Sequence, residues 1–166
     1  MPSKYLFLAT LVAVLVAFLA AAAFRSWRAK SNQQLAGFSA PESELTQTQI
    51  NQFGKVQYVS TVITDEPLNR ISAHGLGFRG WASLQVSPEG LVVERKGERN
   101  LAIPKRCVVG VQLDSATIDR AVEQDGLIRV DWNHDSTALS TYLRANTGAQ
   151  KLEIFEALEA MKEAAK

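Results

Sequence analysis

From Tyr5 to Phe24 the chain carries no charged side chain, and Thr10 and the Tyr5 hydroxyl are its only strongly polar groups. Twenty residues at about 1.5 Å each reach roughly 30 Å, the thickness of bilayer hydrocarbon, and a helix satisfies its own backbone there. Tyr5 and Trp27 bracket the stretch, where amphipathic rings favour the interface. A cleaved secretory signal is the rival reading, with Ala20–Ala23 as small residues for a cleavage site. Signal cores run about 7–15 residues, however, and Arg25, Arg28 and Lys30 follow like a stop-transfer flank. The expectation is an uncleaved, single-pass transmembrane helix. Lys4 and the terminal amine stand against three basic residues on the other flank. That excess places the C-terminal part in the cytoplasm, at the cell's inner (plasma) membrane. A single helix whose one polar interior group is Thr10 lines no solute path, which argues against a transporter.

The near-neutral total of 18 Lys+Arg against 17 Asp+Glu belongs to those flanks. Four of the basic residues and none of the acidic ones lie in positions 1–30, so the remainder holds 14 basic against 17 acidic side chains. A net acidic domain is a poor generic nucleic-acid binder, because phosphate binding needs clustered cations. One cysteine, Cys107, excludes an intrachain disulfide and a multi-cysteine metal site. No Asn-x-Ser/Thr sequon is present, in keeping with a cytoplasmic domain.

Residues 31–52 are rich in Ser, Gln, Glu and Ala and read as a linker, with a short helix from Glu42 to Asn51. From Phe53 the apolar period becomes two. Strands are predicted over 56–63, 81–86, 91–95, 100–103, 107–113, 127–132 and 138–143, with Ser87-Pro88-Glu89-Gly90 and Lys96-Gly97-Glu98-Arg99 as tight turns. Past Gly148 the period is helical. Ile154, Phe155, Leu158, Met161 and Ala165 share one face, Glu153, Glu156, Glu159 and Glu163 lie off it, and Thr147 is placed to cap the start. An amphipathic helix after about seven antiparallel strands must bury its stripe, and the open end of a half-closed barrel is where it fits. The fold class is therefore mainly β, a pleckstrin-homology-like (PH-like) barrel capped by a C-terminal helix. The division is a tail at 1–4, a span at 5–24, a juxtamembrane linker at 25–52 and the PH-like domain at 53–166.

Arg70-Ile71-x-x-His74-Gly75-Leu76-Gly77-Phe78-Arg79-Gly80, then Leu84, Val86, the Gly90 turn, Ile103-Pro104 and Gly126-Leu127-Ile128 leading to Trp132, resembles an actinobacterial family of small membrane-anchored proteins. The similarity spans about residues 50–162. It implies a PH-like fold and a genomic setting beside early pyrimidine-synthesis enzymes, and no established activity.

Gly75, Gly77 and Gly80 form a literal G-x-G-x-x-G. Dinucleotide binding needs that loop to open a helix, and here a strand follows, so the glycines are read as loop geometry. The loop from Asp65 to Arg79 is still the best candidate site. Arg70, His74 and Arg79 would contact an anionic group, such as a lipid headgroup or phosphorylated metabolite; the plainer reading pairs both arginines with local carboxylates. Asp131-x-Asn133-x-Asp135 resembles the start of a calcium loop, but Ser136 and Tyr142 stand where Gly and Glu are required, so a hairpin turn is expected. His134 in that turn is expected to be solvated. Cys107 is read as a small hydrophobe, and Trp81 and Trp132 as packing residues. No catalytic residue, metal ligand or cofactor is assigned. The functional expectation is a non-enzymatic, membrane-tethered module that binds a protein partner, with anionic-lipid binding as the alternative and no nucleic-acid role.

Overall fold

The apolar stretch lies within one helix, α1 (Pro2–Ala36), in a computed structural model that describes residues 2–36, 39–117, 120–121 and 125–164. Among the described residues, no part of its candidate span, Phe7–Ser26, is buried. The helix continues past the apolar stretch because Arg, Ala, Lys, Gln and Leu are good helix formers and no Pro or Gly interrupts them before position 37. The side chain of Trp27 lies outside the described residues.

The strands are β1 (Asn51–Ile63), β2 (Glu66–Arg70), β3 (Gly80–Ser87), β4 (Gly90–Arg95), β5 (Leu101–Pro104), β6 (Val108–Asp114), β7 (Ala116–Thr117), β8 (Arg120–Ala121), β9 (Leu127–His134) and β10 (Thr137–Arg144), followed by helix α2 (Gly148–Glu163). Seven of them form one antiparallel path, β5-β4-β3-β1-β10-β9-β6, with β2 paired to β1 and β7 to β8 off the path. The seven expected strands are all present, and the arrangement is the PH-like one. β1 serves both halves of the barrel. Its start pairs with β3, from Asn51↔Val86 to Tyr58↔Gly80, and its end pairs with β10, from Gln57↔Arg144 to Ile63↔Leu139. Two irregularities let one strand turn that corner, between Phe53 and Val56 and between Tyr58 and Ser60, with Lys55 at φ 54° in the first.

The interior is filled by the inward phase of the strands, with Leu84, Leu91, Ile103, Ile128, Trp132 and Leu143 essentially inaccessible. α2 closes it against β6, β3 and β1. Thr147 caps the helix by accepting the Gln150 amide at 3.2 Å. Ile154, Leu158 and Met161 are buried, each worth about 1.5–3 kcal/mol of transfer free energy. Phe155 and Glu159 are half-buried, Glu153, Glu156 and Glu163 are exposed, and Ala165 lies outside the described residues.

Between Ser39 and Ile50 the chain differs from the expected linker and short helix. It has no regular structure and is laid along the barrel as a strap. The Ala102 amide donates to the Glu42 carbonyl at 2.8 Å, alongside the edge of β5, and the Glu42 carboxylate pairs with Arg106 at 2.7 Å. At one end the Ser39 amide donates to Asp135 at 3.1 Å, and Ser39 also meets the His134 ring, which is therefore held rather than solvated. At the other end the Thr48 hydroxyl and amide donate to Glu89, at 2.5 and 3.2 Å. These bonds hold the Asp135 carboxyl below its ordinary range and the Glu89 carboxyl down to about 2. A depressed carboxylate stabilises above its unfolded pKa and loses that stabilisation as pH falls through the folded value. We therefore expect the Thr48 amide to lose hydrogen-exchange protection on acidification from about pH 5 toward 2, before the β1–β10 amides do. Unchanged Thr48 protection across that range would show that the Glu89 bonds do not hold the strap.

Candidate functional site

The segment between β1 and β3 holds the sequence-predicted residues. It contains more order than the expected loop, since 66–70 forms β2 and Ala73–Gly75 a single 3-10 turn. Two buried groups tie the segment to the barrel. The first is Tyr58, inaccessible to solvent, whose hydroxyl donates to the Leu76 carbonyl at 2.8 Å. Behind it runs a chain of buried polar groups: Tyr58 Oη to Thr61 Oγ1 at 2.7 Å, Thr61 to Thr141 Oγ1 at 2.9 Å, and Trp132 Nε1 to Thr141 at 3.0 Å. An indole N–H only donates and a carbonyl only accepts, so the proton order is fixed. Trp132 gives to Thr141, Thr141 to Thr61, Thr61 to Tyr58, and Tyr58 to Leu76. Each hydroxyl accepts once and donates once.

The second tie is Arg95, 5% exposed. Its guanidinium lies over the Tyr58 ring at 5.0 Å and donates to the carbonyls of Gly75, at 2.5 Å, and Arg99. Burial pulls the Arg95 pKa below its ordinary value, and the Tyr58 and Glu98 charges oppose this. Gly75 sits at φ +72°, a left-handed conformation that favours glycine. Gly80 begins β3, and no helix start backs the glycine pattern.

The three predicted ligand residues fall in this one segment but on two faces. Arg70 ends β2, opposite Val62, and its charge acts on the inward Tyr58 hydroxyl. Arg79 reaches the neighbouring, outward Gln57 at 3.4 Å between Nη2 and Oε1. His74 lies in the 3-10 turn with φ 53°, and that turn lies against α1.

Trp81 is where the structure departs most from expectation. It is 59% exposed instead of packed, while Trp132 is buried as predicted. Registers Gln57↔Arg144 and Gln57↔Trp81 set Arg144, Gln57 and Trp81 in one outward row. A cleft of about 240 Å³ opens along this row, bounded also by Lys151 at the start of α2. A shallower hollow on the other side of Trp81 is lined by Lys55, Lys96 and Glu94, among others. Arg70, His74 and Arg79 line neither.

The remaining candidates have structural roles. Asp131 accepts from Arg129 at 2.7 Å, Ser140 at 2.6 Å and Gln112 at 3.1 Å, and Asp135 sits at φ 51° in the expected β9–β10 hairpin. Cys107 is half-buried in a 3-10 turn ahead of β6, packed on the core's edge. Among the described residues no group of three or more His, Cys, Asp or Glu is placed to hold a metal ion.

A seven-strand path closed by a C-terminal helix and joined to an apolar N-terminal helix defines a PH-like barrel. The model of the bacterial PH domain-like family matches residues 35–159, and the chain belongs to that family. The matched region takes in the strap as well as the strands. No curated protein is similar in sequence. Among solved structures, a chain of the 8S snRNP assembly intermediate aligns with a TM-score of 0.50 at 9% identity, over 78% of this chain and 91% of that one. The C-terminal phosphotyrosine interaction domain of mouse APBB2 aligns at 0.48 and 11% identity, over 75% and 95%. At such identities the first likeness speaks to fold alone, and nothing is drawn from the second.

Proposed function

We propose that this protein is a non-enzymatic interaction module, moored by residues 5–24 in the plasma membrane, which presents its PH-like barrel to a protein partner on the cytoplasmic side. Residues 1–4 form the tail, 25–52 the juxtamembrane segment and 53–166 the domain. The observation that carries the reading is the uncovered apolar span beside a folded barrel. Twenty such residues left in water would be an aggregation surface far larger than soluble monomers tolerate, and a bilayer covers them. For the partner, β6 is the last strand of the path, with Val109 57% exposed and Leu152 of α2 54% exposed. An edge strand with a helix beside it suits strand addition. The resemblance over about residues 50–162 implies a genomic setting beside pyrimidine-synthesis enzymes, which makes them the first partners to look for.

Cross-linking the tagged chain in its own membranes is the test. A specific protein should be recovered with the wild type and lost with Val109→Lys, which leaves the barrel interior untouched. Recovery of no specific protein, or discovery of the mature chain in culture fluid without its apolar start, would overturn the reading.

A second reading, binding of an anionic lipid headgroup or phosphorylated metabolite through Arg70, His74 and Arg79, is favoured by the placement of the His74 turn against α1. The double variant Arg70→Ala, Arg79→Ala separates the two: it should abolish anion binding and leave the protein cross-link intact.

A further inference from the structure

We propose that residues 39–50 are a releasable leash: seated, they hold the barrel close to the end of α1, and released, they let the still-folded barrel move several times farther from it. This rests on the membrane-anchor reading above, which makes the helix the fixed point.

The strap is peripheral to the barrel's interior. No residue of 39–50 belongs to either buried apolar cluster. Burial alternates along it as along a strand. Pro41 is buried and Ser43, Leu45 and Gln47 are half-buried, while Glu42, Glu44, Thr46 and Thr48 are exposed. Yet no ladder forms. Among the described residues a single backbone bond joins the strap to β5, from the Ala102 amide to the Glu42 carbonyl. The side-chain bonds that seat it, Ser39 with Asp135 and His134, Glu42 with Arg106 and Thr48 with Glu89, are all exposed. Exposed polar pairs hold little against water.

Seating also carries costs. The Gln47 Nε2 is buried with no hydrogen-bond partner, and Gln49 sits at φ 52°, in the left-handed region, just ahead of β1. Both are relieved when the strap lifts. An element held by exposed bonds, strained at one end and absent from the core belongs to the part of a fold that opens ahead of the rest.

Lifting changes the reach. Ser39, the first tie, follows the end of α1 by three residues, a distance of at most about 10 Å. With the strap free, fifteen residue steps lead from Ala36 to Asn51 at the start of β1, spanning roughly 20 Å on average and about 50 Å fully extended. The Ala73–Gly75 turn also lies against α1, a contact that the short state keeps within reach. The short state concentrates the barrel on partners beside the span, and the long state serves partners farther from the bilayer at a lower effective concentration.

The test uses the full chain reconstituted in phosphatidylcholine vesicles. Exchange at the Ala102 amide reports the seat, because its acceptor is in the strap. Leu101 and Ile103 alternate with it, turn their amides toward β4 and report the barrel. With Cys107→Ser, nitroxides on Ser26→Cys, at the end of the span, and Glu156→Cys, exposed on α2, give the helix-to-barrel distance by pulsed electron resonance. Ala102 should exchange at least about ten-fold faster than Ile103 in the otherwise unaltered chain. Glu42→Ala with Glu89→Ala and Asp135→Gly removes a tie from the middle and from each end, and glycine suits the φ of 51° at position 135. Ala102 exchange should then rise about ten-fold further, and the distance should broaden and lengthen by roughly 10 Å, with Ile103 protection unchanged. Exchange of Ala102 in step with Ile103 would show that the strap leaves only when the barrel unfolds. An unlengthened distance in the variant, with Ala102 exchanging freely, would show that the Ala73–Gly75 contact holds the barrel instead. Either result overturns the leash. Carbonate extraction of the same vesicles tests the anchor separately. A chain that resists extraction with an unlengthened distance refutes only the leash, and a chain that is released refutes the anchor and the leash with it.

Discussion

Arg95→Ala should lower the unfolding free energy of the barrel by about 3 kcal/mol and its midpoint by roughly 10 °C, the largest single-residue effect expected here outside the apolar core. The substitution strands carbonyls in two turns, those of the half-buried Gly75 and the exposed Arg99. Gly75 O and Arg99 O both lose their charged donor, and the Tyr58 ring loses the guanidinium stacked on it. Arg95 itself is imperfectly satisfied, since its buried Nε has no hydrogen-bond partner. That orphan donor is a cost of the wild type and trims the net loss. Arg95→Lys should recover little, because an ammonium lacks the planar fork that serves two carbonyls and one ring at once. Lys96→Ala, one residue on and exposed, should change stability by no more than about 0.5 kcal/mol. Chemical denaturation of the three variants measures all of this. A loss below about 1 kcal/mol for Arg95→Ala would mean that the segment between β1 and β3 is held by its own backbone and not by this side chain.

How far the sequence disclosed the fold turns on phase. The apolar phase, together with β-branched runs and the turn signals between them, located every strand of the main path. The same phase carried information that composition concealed. In Trp81-Ala82-Ser83-Leu84-Gln85-Val86 the inward set is Ala82, Leu84 and Val86, so Trp81 falls with Ser83 and Gln85 on the outer face. Arg95 is the mirror case. It continues the inward phase of Leu91 and Val93, where a charged residue is least expected, and it is buried. In both, identity suggested one face and periodicity dictated the other. Short β2 escaped notice because Glu66-Pro67-Leu68-Asn69-Arg70 has no alternation and contains a proline, tolerated because β2 pairs on β1 alone. The strap was illegible for a different reason. It is held by long-range bonds to Glu89, Ala102, Asp135 and Arg106, none of which leaves a periodic trace. The proton chain from Trp132 to Leu76 likewise joins positions 132, 141, 61, 58 and 76, and only the folded register brings them together.

That chain makes the barrel sensitive to alkali, with a sign and a window. Burial pushes the Tyr58 hydroxyl from its ordinary 10.0 to about 12, while the Thr61 bond and the Arg95 and Arg70 charges act more weakly in the opposite sense. A folded-state pKa raised above the unfolded one gives stability that is whole below the unfolded value and disappears as pH climbs through the folded value. A shift of that size corresponds to about 3 kcal/mol, lost between the two. Tyr142 is also raised by burial and adds a slope of the same sign, so Tyr142→Phe is the control that isolates Tyr58. Tyr58→Phe should cost about 1–2 kcal/mol near neutrality, because the Leu76 carbonyl and the Thr61 hydroxyl each lose a partner. Its stability should then fall less steeply than the wild type's above pH 10, so that the two denaturation curves converge in alkali. An ionised Tyr58 has no proton to give Leu76, so exchange at the amides around Leu76 should quicken in the wild type over the same window, ahead of global unfolding. Parallel curves for wild type and Tyr58→Phe across that window would mean that the hydroxyl reaches solvent, and that the segment between β1 and β3 is not clamped from within.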